Sequence, residues 1–186
     1  MDFYTIGHST HSSEEFSDLL KAYKIETLID IRSYPGSKYM PQFDKENMEK
    51  WVPEQDIRYL HLPVLGGRRK KNREIDATLV DGWRNTSFRN YAAYSLTEEY
   101  EKGISELMAI GNEERVCYMC SESVPWRCHR LIVSNTLASK GLKVHHIMTE
   151  KKTIEHEIGM YGAKAVIEGT TIIYPKQQAD TELPTE

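Results

Sequence analysis

The feature that most constrains the fold is an alternation of short strand-like runs with helical patterns along most of the chain. Apolar and β-branched runs bounded by turn residues predict strands at 3–6, 27–31, 57–61, 116–120 and 142–147. Apolar residues at helical spacing predict helices at about 12–23, at 44–51, within 75–110 and at 126–140. Strands separated by helices pair in parallel through right-handed crossovers. We therefore predict an α/β, Rossmann-like, doubly wound and mostly parallel sheet with helices on both faces.

The length of 186 residues suits one domain with one core. We assign residues 1–150 to the α/β domain and 151–174 to a C-terminal extension packed on it. Residues 175–186 are polar and aperiodic, so we expect a mobile tail there.

The composition, the N-terminal sequence and the cysteines indicate where the protein resides. An apolar content of 39%, a charged content of 28% and a mean hydropathy of -0.58 argue against a membrane protein. The N-terminal sequence lacks the pattern of a secretory signal, so we expect a cytoplasmic protein. The three cysteines, Cys117, Cys120 and Cys128, lie too close together for a disulfide framework, and we expect reduced thiols.

Several polar residues directly follow a predicted strand or begin a predicted helix. In a doubly wound sheet the loops at the carboxyl ends of the strands meet at one edge and bind ligands there. We therefore expect one site that contains His8, Ser9, Asp30, Arg32, Ser33, Cys120, Glu122, Cys128, His129 and Arg130.

Four of these residues are candidate catalytic groups: Asp30, Glu122, His8 and Cys120. A carboxylate at a strand end can act as a base or nucleophile, and a thiol near a helix start can have a lowered pKa. The alternatives are structural. Asp30 and Arg32 can lock one loop, Glu122 and Arg130 can form a salt bridge, and the cysteines can be small buried hydrophobic residues.

The cysteine and histidine spacing also raises the question of a metal. Cys117-x-x-Cys120 followed by Cys128-His129 has the ligand types of a zinc site. Residues three apart on a strand point to opposite faces, however, so Cys117 and Cys120 cannot share one ion. We predict no metal and no cofactor.

A basic run follows the predicted third strand. Residues 68–73 contain five cations, Arg68, Arg69, Lys70, Lys71 and Arg73, although the net charge of the chain is -4. Such a run suits contacts to nucleic-acid phosphates, and it is equally typical of a solvated loop. Nearby aromatic residues, with Tyr91 and Tyr94 foremost, can stack on a base or belong to the core.

Several ordered motifs resemble the signature blocks of the DUF488 family. They are Gly7-His8-Ser9, Asp30-x-Arg32-Ser33-x-Pro35, Leu65-Gly66-Gly67-Arg68, Tyr91-Ala92-x-Tyr94, and Cys120-x-Glu122 followed by Cys128-His129-Arg130. The resemblance extends from about residue 3 to 147 and implies a Rossmann-like α/β domain. Some archaeal relatives in this family are associated with removal of damaged bases from DNA, so the resemblance also implies a role of that kind. The cysteine motifs resemble, more distantly, small domains thought to act on nucleotides.

The expected function is therefore a DNA glycosylase that removes an oxidised or deaminated base during DNA repair. Asp30 or Glu122 would face the sugar, Tyr91 or Tyr94 would stack on the base, and the 68–73 loop would bind phosphate. Ser9, Arg32, Ser33, Cys128, His129 and Arg130 complete the predicted substrate-binding set. The expected partner is nucleic acid, DNA in preference to RNA, or a nucleotide, with no membrane and no obligate protein partner. Two alternatives remain: a non-catalytic nucleotide- or RNA-binding module, and a cysteine-dependent enzyme acting on a small nucleotide-like substrate.

Overall fold

The computed structural model describes residues 1–177, which contain a six-stranded sheet with helices on both faces. The strands are β1 (Asp2–Gly7), β2 (Thr27–Asp30), β3 (Arg58–His61), β4 (Val116–Cys120), β5 (Lys143–Thr149) and β6 (Lys152–Glu155). Their order across the sheet is β3-β2-β4-β1-β5-β6, with β1 to β5 parallel and β6 antiparallel to β5. The predicted doubly wound, mostly parallel α/β fold is confirmed.

Five helices connect these strands. They are α1 (Ser13–Ala22), α2 (Lys45–Trp51), α3 (Thr86–Tyr94), α4 (Glu98–Glu113) and α5 (Arg130–Ser139). Helix α1 begins with a capping box, in which the Ser12 hydroxyl accepts the N–H of Glu15 and the Glu15 carboxylate accepts the N–H of Ser12.

Two predicted helical stretches differ from the structure. Helix α5 begins at Arg130 rather than at residue 126, because Pro125–Arg127 forms a separate 3₁₀ turn and Cys128 is extended. The segment from 75 to 85 is mostly irregular, since the Asp76 side chain accepts the N–H of Thr78 and starts only one 3₁₀ turn.

Alternate residues of the central strands pack into two separate cores. On one face, Cys117 and Met119 of β4 pack with Phe16 and Leu20 of α1. On the other face, Tyr118 packs in the larger core that includes residues of α3, α4 and α5. Burial on both faces explains why these strands are continuous apolar runs.

The C-terminal part adds to the α5 side of the sheet. A hairpin of β7 (Val166–Glu168) and β8 (Thr171–Ile173) leads to the fully buried Tyr174, whose hydroxyl accepts a hydrogen bond from the Asn135 amide at 2.9 Å. Most of the predicted mobile tail, residues 178–186, lies outside the described residues. Within residues 1–177 no helix combines the length and the apolar character needed to cross a membrane.

Candidate active site at the carboxyl ends of the strands

A pocket of about 410 Å³ opens at the carboxyl ends of β1, β2 and β4. Five loop segments and helix α3 form its wall, so residues more than a hundred positions apart become neighbours. The predicted site residues that line it are His8, Arg32, Ser33, Arg68, Tyr91, Cys120, Glu122, Cys128 and His129. The parallel sheet therefore brings most of the predicted set to one edge, as the position of ligand sites in such sheets suggests.

Asp30 lies behind this pocket and does not line it. Its carboxylate is fully buried and accepts hydrogen bonds from Arg32 Nε at 2.9 Å, from Arg32 Nη2 at 2.6 Å and from the Tyr59 hydroxyl at 2.6 Å. Burial and the adjacent Asp30 charge raise the pKa of Tyr59, so its hydroxyl keeps its proton. The contacts of Asp30 are those of a group that holds the Arg32 guanidinium at the pocket edge.

His8 is buried against Arg32 and is stacked on Phe43 at a centroid distance of 4.3 Å. Its Nδ1 lies 2.9 Å from the Ser9 carbonyl and therefore carries the proton, which leaves the Nε2 lone pair facing Arg32 Nη1 at 3.3 Å. Burial lowers the pKa of His8 to about 4. His8 is thus neutral at pH 7, and both of its ring nitrogens have partners.

Arg130 is buried beneath the cysteine side of the pocket. Its guanidinium donates to the Thr5 hydroxyl at 2.8 Å, to the main-chain carbonyl of Glu122 at 2.6 Å and to Cys120 Sγ at 3.1 Å. Burial lowers the pKa of Arg130 to about 10, so it remains a cation at pH 7. Arg130 therefore binds the main chain of Glu122 rather than the carboxylate, and the predicted Glu122–Arg130 salt bridge is not formed.

Cys120 and Cys128 face each other across the same part of the pocket wall. Their sulfur atoms are within bonding contact, so the structure pairs Cys120 with Cys128 as a disulfide, although their Cα atoms are 7.5 Å apart, which is wider than the 4.4–6.8 Å that disulfides usually span. Cys117 points to the opposite face of β4 and is buried in the other core, as predicted from strand alternation. The expectation of reduced thiols is therefore wrong for Cys120 and Cys128, and it holds for Cys117, the free cysteine of residues 1–177.

His129 is held next to Cys128 at the start of α5. Its Nε2 donates to the Ile31 carbonyl at 2.9 Å, so the unprotonated Nδ1 faces Cys128 Sγ at 3.5 Å. Burial lowers the pKa of His129 to about 4, which keeps the ring neutral. Gly67 packs directly on this ring, where an added Cβ atom would lie only 2.5 Å from Nδ1.

Glu122 provides the acidic side chain of the pocket. It is exposed, and among residues 1–177 its carboxylate has no hydrogen-bond or salt-bridge partner. Gly7 lets the main chain at Glu122 pack against the end of β1, because a Cβ atom at Gly7 would collide with the Glu122 carbonyl. The glycine of the first motif therefore lets the end of β1 pass beneath the Glu122 loop.

The basic run divides into parts with different surroundings. Arg68 lines the pocket and its main-chain N–H donates to the Ser33 hydroxyl at 3.0 Å. The Arg69 guanidinium lies 3.7 Å from the ring centroid of Tyr94 and donates to the carbonyls of Gly66 and Val64. Arg69 and Tyr94 also line a separate cavity of about 470 Å³, together with the other three cations, Lys70, Lys71 and Arg73.

The two predicted stacking tyrosines are anchored in the core. Tyr91 borders the pocket but is 1% exposed, and its hydroxyl donates to the Leu65 carbonyl at 2.6 Å. Tyr94 lies beneath Arg69, donates to the Val64 carbonyl, and does not line the pocket. The exposed aromatic edge of the pocket comes instead from Tyr34 and Phe88.

Two residues remain, the predicted Ser9 and the pocket-lining Arg127. Ser9 lies beside the pocket with a positive φ of 45°, and its N–H donates to the Ser121 carbonyl. Arg127 lines the pocket although sequence reasoning did not select it; its place between the Cys120 and Cys128 motifs was the available signal. Residues 1–177 contain no cluster of three or more His, Cys, Asp or Glu side chains suited to a metal ion.

Comparison with known proteins gives one match. The model of the family described as "Domain of unknown function DUF488" matches residues 12–137. No curated protein matches the chain, and no solved structure matches it. The matched range contains the pocket residues from Arg32 to His129 and all five helices except the last residues of α5.

Proposed function

The chain belongs to the DUF488 family, and from that premise we propose that its pocket accepts one damaged nucleotide of a DNA strand and hydrolyses the bond between base and sugar. One observation carries the proposal. Among the described residues that line the pocket, Glu122 has the single carboxylate, and the other charged groups there are the guanidinium groups of Arg32, Arg68 and Arg127. A carboxylate in a cationic pocket suits a substrate with an anionic backbone and a developing positive charge on its sugar.

The aromatic side of the pocket supports binding of a base. Phe88 is held by stacking on Trp83 at a centroid distance of 4.8 Å, and it lines the pocket together with the exposed Tyr34. Rigid aromatic groups bind an extruded base at low entropic cost, and each such contact is worth about 1–3 kcal/mol. A volume of about 410 Å³ is within the range of small-molecule sites.

The cationic side supports binding of the backbone. Arg68 and Arg127 are exposed at the pocket edge, and among residues 1–177 neither forms a salt bridge. The nitrogens of Arg32 are occupied by Asp30, the Phe43 carbonyl and His8, so Arg68 and Arg127 are the guanidinium groups of the pocket that can take phosphate oxygens. Guanidinium groups bind phosphate oxygens in a bidentate manner, which positions the nucleotide without reading its sequence.

The proposed reaction consumes one water molecule. Water attacks C1′ of the sugar as the bond from C1′ to the base nitrogen breaks, and the Glu122 carboxylate takes a proton from the water. The departing base takes up a proton from solvent. The carboxylate also stabilises the positive charge that develops on the sugar. Asp30 has a positioning role here, because its oxygens are occupied by Arg32 and Tyr59.

Strand scission tests the proposal. Duplexes that contain uracil, hypoxanthine or 8-oxoguanine are incubated with the protein and then treated with alkali, which cleaves the strand where a base is missing. Glu122→Gln should reduce the rate by at least ~100-fold, while Glu106→Gln, an exposed glutamate of α4, should not change it. Absence of scission on every lesion with the wild-type protein would refute base removal.

Salt-dependent binding tests the backbone contacts separately. Arg68→Ala should weaken DNA binding and reduce the slope of log affinity against log salt by about 1. Lys102→Ala, which removes an exposed charge on α4, serves as the control. Binding that depends on Arg68 without any base removal would replace the glycosylase proposal with a nucleotide-binding module.

A further inference from the structure

The cysteine pair is a separate chemical feature of the pocket wall, and it does not take part in the proposed base removal. Cys120 ends β4, and Cys128 lies just before α5, so the two thiols belong to different segments that meet at one point. Both side chains line the pocket, with Cys120 2% and Cys128 4% exposed, so the pocket is the route for a reagent as small as hydrogen peroxide. Cys117, the third cysteine, is fully buried in the opposite core and provides an internal comparison.

The buried Arg130 guanidinium favours a thiolate at Cys120. Arg130 is 1% exposed, and among residues 1–177 no carboxylate lies within salt-bridge distance of it. A buried charge without a counter-ion is costly, and the side chain nearest to this one that can become an anion is Cys120, with Sγ at 3.1 Å from Arg130 Nε. When the pair is reduced, a Cys120 thiolate would supply the missing counter-ion.

Cys128 has an environment that suits an attacking thiol. Its sulfur accepts the main-chain N–H of Arg130 at 3.4 Å, in the first turn of the ten-residue helix α5. The unprotonated His129 Nδ1 lies 3.5 Å from the same sulfur and can accept the S–H hydrogen bond. A helix N-terminus and a nearby base both favour thiol reactivity.

We propose that Cys120 and Cys128 form a peroxide-reactive dithiol, in which the Cys120 thiolate is oxidised first and Cys128 then closes a disulfide. In the first step the thiolate sulfur attacks one oxygen of hydrogen peroxide, the O–O bond breaks, and a protonated hydroxide leaves as water. This gives a sulfenic acid on Cys120. In the second step Cys128 attacks that sulfur, the S–O bond breaks, and a second water leaves. Two electrons pass from the two sulfurs to one peroxide molecule.

The segment between the two cysteines carries Glu122 and Arg127, both of which line the pocket. The redox-active pair therefore lies in the same part of the wall as these two charged groups.

Intact mass and thiol counting test the proposal on the full chain without any DNA. After treatment with hydrogen peroxide, the mass should fall by two hydrogen atoms, and iodoacetamide in denaturant should label one cysteine instead of three. Cys117→Ser should leave this reaction unchanged. Three free thiols after peroxide treatment of the folded protein would overturn the inference.

Two single variants test the order of the steps. Cys128→Ser should stop at a sulfenic acid on Cys120, which dimedone traps, and Cys120→Ser should react at least ~10-fold more slowly than the wild type. A dimedone adduct on Cys128 in place of Cys120 would overturn the assigned roles. Because these measurements follow only the thiols, their failure does not affect base removal, and failure to remove bases does not affect them.

Discussion

The ion pair between Asp30 and Arg32 provides the sharpest test of how the pocket is held. Asp30 was a candidate catalytic group, but its carboxylate is fully buried and accepts hydrogen bonds from Arg32 and Tyr59. Asp30→Asn removes the negative charge with little change in volume. The Arg32 guanidinium, 7% exposed as a residue, then remains buried without its counter-ion.

The expected cost follows from that uncompensated charge. Removing one partner of a buried ion pair typically costs 3–5 kcal/mol, so we expect Asp30→Asn to lower the free energy of unfolding by about 4 kcal/mol. That is a large share of the roughly 5–15 kcal/mol that stabilises a domain. The exposed pair of Lys45 and Glu49, with side chains 44% and 51% exposed, is the control. Glu49→Gln should cost no more than about 0.5 kcal/mol.

Urea unfolding followed by circular dichroism measures both changes. A double variant separates the cost of an orphaned charge from the worth of the pair itself: Asp30→Leu with Arg32→Met removes both charges and should be more stable than Asp30→Asn. An Asp30→Asn protein within about 0.5 kcal/mol of the wild type would refute this reasoning, because the buried guanidinium would then need no anion. A double variant that is less stable than Asp30→Asn would also refute it, because removal of both charges would then cost more than one buried charge left without its partner.

Two further predictions concern the histidines. Burial lowers the pKa of His146 to about 3 and of His156 to about 4, below the value of 6.5 in the unfolded chain, so both are neutral when folded. The free energy of unfolding therefore keeps its full value above pH 6.5 and falls as the pH drops towards 4, by about 1.4 kcal/mol per pH unit for each group. Urea unfolding of the wild type and His156→Gln between pH 7 and 4.5 should show a smaller loss of stability in the variant. Equal losses in the two proteins would contradict this. Gly67→Ala should destabilise the protein by about 1–3 kcal/mol in thermal unfolding, since its new methyl group would lie against His129. Gly36→Ala, whose methyl group would have its nearest contact 3.9 Å away, is the control and should be tolerated.

The sequence predicted the sheet and the edge at which the site forms, for reasons that are local. Continuous apolar strands indicate burial on both faces, and parallel strands bring their carboxyl-end loops together. The opposite orientations of Cys117 and Cys120 follow from the strand period of two and are confirmed. Each of these inferences needs only neighbouring residues and a repeating geometry.

The hydrogen-bond and stacking partners of individual side chains could not be predicted, because they depend on tertiary contacts between segments that are distant in sequence. Asp30 binds Tyr59 because β3 pairs with β2 in one register, and Arg69 turns onto Tyr94 because α3 packs behind the basic run. Arg130 turns inward beneath the pocket, where its nearest anionic candidate is a thiol rather than Glu122. Helix α5 starts late because Pro125 opens its own short turn.

The position of β4 between β1 and β2 has a consequence for how the chain acquires its site during synthesis. Strands β1 and β2 leave the ribosome long before residues 116–120, yet they are not hydrogen-bonded to each other, and only β4 joins them. A nascent chain that ends before β4 therefore holds the β2–β3 pair and an unpaired β1. Contacts over such long sequence separations form slowly. The pocket consequently forms late, in the same event that joins β1 to β2 through β4.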